Sequence, residues 1–409
     1  MTTNAASAAT APLDSIDPSR AEWFADGSIL PLMARLRDAA PIHYCRESPY
    51  GPYWSVTRHA DIMAIELQPN LFSSSHLHGG VSLLNSNAEM QYVTFVQMDP
   101  PEHTPRRKAV ASAFDPSEMH RLAADLRQRT SDLLDRLPRD RVFDWTHEVA
   151  VRLTTDMLAI MFDFPWEDRD KIADWSEWLT SAAAARDHPA ERNAKIQEMA
   201  TYFFGLWQAR TANPQASDLL SRMIRSPALG AMDPVEFMGS LVALVVGGTD
   251  TTRNTMSGLV IANAQFPDAW EKVIADPGLA TNTVSEIIRW QTPATHMRRV
   301  ATEDVDFGGV HIRKGDAVIM WYVSANRDEA VFVDADRFMP DRPNARRHLA
   351  FGHGIHRCVG ARLSELQLEV LISEMARRQM RIDIVGPVVH DPNCFLSTIK
   401  SVPVRITNG

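Results

Sequence analysis

The feature that most limits what this chain can fold into is a ten-residue run near its C-terminus, Phe351-Gly352-His353-Gly354-Ile355-His356-Arg357-Cys358-Val359-Gly360. It contains one of only three cysteines in 409 residues, the others being Cys45 and Cys394. After Val359, the apolar residues Leu363, Leu366 and Val370 recur at helical spacing, so Cys358 stands at the start of an amphipathic helix. A free cysteine in such a place is commonly a small, inert, buried hydrophobe. The flanking residues argue otherwise here. Gly354 and Gly360 carry no Cβ and let the backbone approach a flat group closely. The helix dipole and Arg357 both favour the thiolate. A thiolate presented on a glycine-rich loop is a ligand environment suited to haem iron.

Composition sets the surroundings. Apolar residues make up 45% of the chain, enough for a large core, and the net charge of −9 argues against generic nucleic-acid binding. Three scattered cysteines without a pairing pattern suggest a reducing compartment. Residues 1–19 read as a disordered tail rich in Ala, Ser and Thr. They lack the positive charge before Arg20 and the apolar stretch that a secretory signal needs. No apolar run is long enough to span a bilayer. A cytoplasmic, monomeric protein without a membrane span is expected. Length alone would allow two or three domains, but no linker divides the chain, so residues 20–409 are read as one.

Helical periodicity dominates residues 116–293, with short strand signals elsewhere. Residues 53–57 read as one strand, 305–312 as a hairpin around Gly308-Gly309, 317–323 as another strand, and 395–406 as a last β segment. The fold class is therefore mainly α with small peripheral β-sheets. The longest helix should run from Asp233 to about Gln265, opening with an N-cap Asp, Pro234 at N1 and Glu236 at N3. Its centre is Gly247-Gly248-Thr249-Asp250-Thr251-Thr252. Paired glycines cost about 1 kcal/mol each in a helix interior relative to alanine. One reading is close packing plus a surface Asp250–Arg253 pair. The other is a local kink beside a pocket, with an acid and an alcohol projecting into it.

Four segments coincide: the Cys358 loop, the Gly-Gly-x-Asp-Thr-Thr helix, Glu286-x-x-Arg289, and Asp99-Pro100-Pro101-Glu102-His103-x-x-x-Arg107. Together, over nearly the whole chain, they resemble the cytochrome P-450 superfamily of haem-thiolate monooxygenases. The resemblance implies a single domain with haem b held between a long central helix and the cysteine loop with its helix. Cys358 would be the iron ligand. Phe351, Gly360 and Gly248 would lie against the haem. His103, Arg107, Arg299 and His356 would bond its propionates. Glu286, Arg289 and Arg342 would form a buried charge network that fixes the loop. Asp250 and Thr251 match an acid–alcohol pair that delivers protons to iron-bound oxygen.

Finer stretches, among them Thr251-Thr252-Arg253-Asn254, His296-Met297-Arg298-Arg299 and Met320-Trp321-Tyr322, resemble bacterial alkane and fatty-acid terminal hydroxylases. That implies O2 and an apolar chain substrate oxidised at its terminal carbon. The expected pocket residues are Leu84, Val93, Leu241, Leu244, Val245, Gly248, Met297 and Leu396. The chain shows no flavin or nicotinamide module and no iron–sulfur cysteine set. Electrons would come from a ferredoxin and its NAD(P)H-dependent reductase. Arg106, Lys108, Arg346, Arg347, Arg357 and Arg362 should gather into the docking face. Alternatives remain at this level: hydroxylation of a terpene or another hydrophobic molecule, a peroxide-driven hydroxylase, which should lack the acid–alcohol pair, a haem sensor without turnover, or a metal-free thiol hydrolase, which would be colourless.

Overall fold

The computed structural model describes residues 10–408 apart from 86–92, 182–183, 185–186, 214, 217 and 231. A 32-residue helix, Pro234–Gln265, organises it. The Asp233 side chain caps its start by accepting from the Val235 amide at 2.8 Å, and Pro267 follows its last turn. At ~1.5 Å per residue this central helix is about 48 Å long, enough to cross the molecule. It joins two hydrophobic cores. Phe237, Leu241 and Val245 pack in one, with Leu158, Phe203 and Met223. Met256, Leu259 and Val260 pack in the other, with Trp145, Ile287 and Leu371. Gly247 and Gly248 lie between these halves.

The glycine–threonine centre does not break the helix, which is continuous from end to end. Thr249, Thr251 and Thr255 instead bond back to the carbonyls of Val245, Gly247 and Thr251 at 2.5, 2.8 and 2.9 Å. Such back-bonding satisfies a hydroxyl inside a helix. The Asp250–Arg253 pair of the packing reading forms, but both side chains are buried rather than on the surface.

A five-stranded sheet flanks the helical body. Its strands are β1 (Ile42–Cys45), β2 (Tyr53–Val56), β3 (Phe72–Ser73), β4 (His296–Ala301) and β5 (Ala317–Trp321), in spatial order β1-β2-β5-β4-β3. The β2–β5 pair is parallel and the others are antiparallel. Strand β5 stops two residues short of the expected Val323, and Tyr322–Ala325 turns into helix. The reason lies in its partner: Trp321 pairs with His296, the first residue of β4, so no ladder remains for Tyr322. The hairpin at Gly308-Gly309 forms as expected, with φ of +56° and +84° at the two glycines.

The last β segment divides in two. Thr398–Ser401 pairs with Val389–Asp391, and Pro403–Asn408 pairs with Met380–Ile384 and Phe143–Asp144. Pro403 starts the second piece, where its missing N–H costs no ladder bond. The expected tail is also too long. Residues 1–9 lie outside the described part, but Leu13–Ser15 forms a turn and Ile16 is buried in a third core. Asp17 Oδ1 accepts from the Tyr53 hydroxyl at 2.8 Å and the Ser19 amide at 2.9 Å, which ties this segment to β2. Among the described residues no helix is long and apolar enough to cross a membrane.

Candidate active site

A cavity of about 1820 Å³ lies between the central helix and the cysteine loop. That exceeds the ~300–1,000 Å³ usual for a small-ligand pocket, so it has room for a macrocycle and a substrate together. Phe351, Gly352, His356, Cys358 and Gly360 line one side, and Gly247, Gly248, Asp250 and Thr251 line another. His103, Arg107 and Arg299 reach it from two further elements.

The loop is shaped by its own backbone. The Cys358 amide donates to the Phe351 carbonyl at 2.7 Å, closing the turn. Gly352 and Gly354 have φ of +68° and +64°, and a Cβ on Gly354 would meet the Glu66 carbonyl oxygen at 2.4 Å. Glycine is required there by both conformation and space. Gly360 differs: a Cβ would sit 3.8 Å from Phe114 and 4.0 Å from Cys358 Sγ, ordinary contact that protein atoms alone tolerate. The Cys358 sulfur faces the cavity. Burial raises its thiol above the usual range, opposed by the Gly360 amide, Arg107 and Arg357. A coordinated metal ion would reverse that balance, since it deprotonates a ligating thiol outright.

One edge of the cavity gathers donors that the protein does not use. His103 is buried, and among the described residues neither of its ring nitrogens has a hydrogen-bond partner; the same holds for His356 Nε2. The two rings lie 4.2 Å apart between centroids. Burial, with Arg299, His103 and Arg107 nearby, pushes the His356 imidazole down to about 2. Buried polar groups are normally satisfied, and cationic donors crowded together need an anion. A sulfur donor, glycines on both the helix and the loop sides of the cavity, and an edge suited to carboxylates fit an iron porphyrin bearing two propionates. Cys358 could hold its metal, and His103, Arg107, Arg299 and His356 its carboxylates. Arg107 also donates to the Arg357 carbonyl, and Arg299 to the Arg298 carbonyl, which aims both side chains.

On the central helix, Thr251 faces the cavity with its hydroxyl donated to Gly247. Asp250 is held from two sides, by the Thr180 hydroxyl at 2.8 Å and by Arg253 at 2.9 Å. Thr180, which ends the helix Arg169–Thr180, was not visible as a partner from sequence, because 70 residues separate it from Asp250. Leu84, Leu244, Gly248, Met297 and Leu396 line the cavity as expected. Leu241, Val245 and Val93 do not, and they pack into the core instead. Leu241 and Val245 share a helix stripe with Gly248 and Thr252, which do line the cavity; about one to two turns nearer the N-terminus the same stripe meets the first core. Phe95, Tyr50 and Phe395 also line the cavity, and no local pattern marks them.

The charge network is assembled behind the loop. Glu286 accepts from Arg289 at 2.7 and 2.8 Å and from Arg342 at 2.9 and 3.0 Å, all three side chains being buried. Arg289 also donates to the Asn326 carbonyl at 2.7 Å, and Asn326 Oδ1 accepts the Leu349 amide at 2.7 Å, two residues before Phe351. The network therefore reaches the cysteine loop through Asn326. Of the basic residues expected on the outer face, Lys108, Arg346, Arg347, Arg357 and Arg362 are exposed. Arg106 is half-buried and pairs with Glu236 at 3.6 Å, so it departs from that set. Replacing Glu286 by Gln should destabilise the fold by about 3–5 kcal/mol, because two buried guanidinium groups lose their counter-charge. Denaturant unfolding of the purified variant checks this.

Comparison with known proteins agrees with this geometry. Residues 191–378 match the Cytochrome P450 family profile. The chain is 34% identical over 391 residues to linalool 8-monooxygenase of Pseudomonas putida, covering 91% of this chain and 94% of that one. It superposes on cytochrome P450-153 from Novosphingobium aromaticivorans with a TM-score of 0.89 at 45% identity, covering 96% and 99% of the two chains. CYP153D17 from Sphingomonas sp. PAMC 26605 gives 0.90 at 47% identity, with the same coverage. The chain thus belongs to the cytochrome P450 family, whose members carry haem b and act as monooxygenases.

Proposed function

We propose that this enzyme hydroxylates the terminal carbon of an alkane or fatty acid, using electrons from a ferredoxin and its NAD(P)H-dependent reductase in the cytoplasm. The observation that carries the reading is the cavity wall: Leu84, Leu244, Met297, Phe395 and Leu396 are apolar, while Arg20, Glu22 and Asn193 lie among its remaining lining residues. Such a space suits an extended chain with one polar end. The 45% and 47% identity to the two P450-153 type structures supports it, as do the stretches around Thr251, Met297 and Trp321. The similarity to linalool 8-monooxygenase favours a second reading, a terpene substrate.

Bound haem, held by the Cys358 sulfur, supplies the metal centre that activates O2. The chain's own residues do the rest. His103, Arg107, Arg299 and His356 bind the propionates and set the orientation of the macrocycle. The Thr251 hydroxyl, already donating to Gly247, keeps its lone pairs free to accept from water and so positions a proton at the cavity face. Asp250, tethered by Thr180 and Arg253, passes protons inward without opening the apolar space to bulk water. Val242, Val246 and Leu244 exclude water around the substrate.

Optical titration with a panel of alkanes, fatty acids and terpenes, followed by product analysis, tests the substrate. Chain substrates should displace iron-bound water and yield terminal alcohols; binding and turnover of terpenes alone would overturn the reading. Thr251→Ala should lower product formed per NAD(P)H consumed by on the order of 10²-fold, with peroxide released in its place. Arg346→Glu combined with Arg362→Glu should raise the KM for ferredoxin at low ionic strength and flatten its salt dependence. Steady-state kinetics across a salt series reads this out.

A further inference from the structure

Glu66 is a buried carboxylate that none of the roles above employs. It ends the helix His59–Glu66, and its side chain is 1% exposed. The Tyr322 hydroxyl donates to Oε1 at 2.5 Å, and Arg299 Nη2 stands 3.6 Å from the same oxygen. Oε2 has no hydrogen-bond partner among the described residues. The cysteine loop presses on this group from the other side: a Cβ on Gly352 would stand 3.2 Å from both Glu66 Oε1 and the Tyr322 hydroxyl. Tyr322, Gly352 and Arg299 all line the cavity, whereas Glu66 lies behind them.

Leaving a buried carboxylate oxygen unpaired is a costly way to hold an arginine in place. A carbonyl, like the one Arg298 already offers to Arg299 Nη1 at 2.8 Å, would do as well without the charge. The distinctive property of Glu66 is therefore its negative charge, felt strongly in a poorly hydrated setting. We propose that Glu66 is a positioning residue for the haem: it holds Arg299 from behind, offsets part of that arginine's charge at the propionate edge, and so makes the bound haem harder to reduce. This rests on the assignment of Arg299 to a propionate given above.

The groups facing the carboxylate are Arg299 from β4, Tyr322 from the turn after β5, and the His353 peptide from the cysteine loop. Burial pushes Glu66 up to about 7, against the opposing pull of these three. The carboxylate charge is then present above that pH and lost below it.

The test is spectroelectrochemical titration of wild-type and Glu66→Gln holoenzymes, well above and well below pH 7. Both should retain haem and the red-shifted reduced-carbonyl band of a sulfur ligand. Above pH 7 the variant's midpoint potential should be shifted to more positive values, and the gap should close below it. Equal potentials above pH 7 overturn the proposal. Should Glu66→Gln fail to load haem, Tyr322→Phe decides. Without the hydroxyl donor the carboxylate keeps its proton to higher pH, so the pH at which the potential falls should move upward; an unmoved transition overturns the proposal. A wild-type protein lacking the red-shifted band would instead remove the sulfur-ligand reading, a separately recognisable failure.

Discussion

The fold depends on the buried ion cluster of Glu286, Arg289 and Arg342. One carboxylate faces two guanidinium groups, and the donors left over are used on backbone carbonyls, among them those of Asn326, Ala335 and Arg337. Those carbonyls belong to a segment with little regular structure, which lacks a ladder of its own to hold it. The cluster provides the missing order, and Asn326 passes it on to Leu349 and the start of the cysteine loop. A loop that must present one sulfur atom accurately is thus supported by charges that cannot be moved without leaving one of them bare.

The central helix imposes the second constraint. Its two halves are anchored in separate cores, so its glycine-rich middle is suspended between them. Gly239, Ala243, Gly247 and Gly248 line the cavity and make room beside the larger Val242, Leu244 and Val246. At Gly248 there is little slack, since a Cβ would stand 3.0 Å from Leu158. The polar groups of the same stretch are spoken for by neighbours, with Thr251 turned to its own helix and Asp250 to Thr180 and Arg253. The result is a largely apolar chamber with Asp250 and Thr251 side by side on its helix wall and His103, Arg107, Arg299 and His356 reaching it from other elements.

Much of this was legible in the chain. The Glu286–Arg289 pair follows from i,i+3 spacing on a helix, and the glycines of the cysteine run marked a stretch of close backbone approach, which the structure shows at Gly354. The start of the central helix was marked by Asp233, Pro234 and Glu236, a purely local signal. What failed were judgements needing a partner. Leu241 and Val245 are as apolar as Val242 and Val246, and periodicity does not say where along the helix a cavity gives way to core. Tyr322 ended a strand early because β4 begins at His296, which nothing near Tyr322 encodes. Asp17 looked like part of a loose tail until Tyr53 was beside it.

Sequence by itself determined a mostly helical frame, and its motifs pointed to one sulfur, an acid beside an alcohol, and a set of cationic donors. The frame, the cysteine turn and the acid–alcohol pair depend on residue type and on contacts within a few positions along the chain, where spacing and geometry are nearly equivalent. The cationic donors, spread from His103 to His356, came only with the family resemblance. Tertiary structure alone decided the shape of the chamber, the tethering of Asp250 by Thr180, the core positions of Leu241 and Val245, and the placing of Glu66 behind Arg299. Each of these joins segments tens to hundreds of residues apart. Their meeting is set by how whole helices and strands pack, a property that no short stretch of the chain contains.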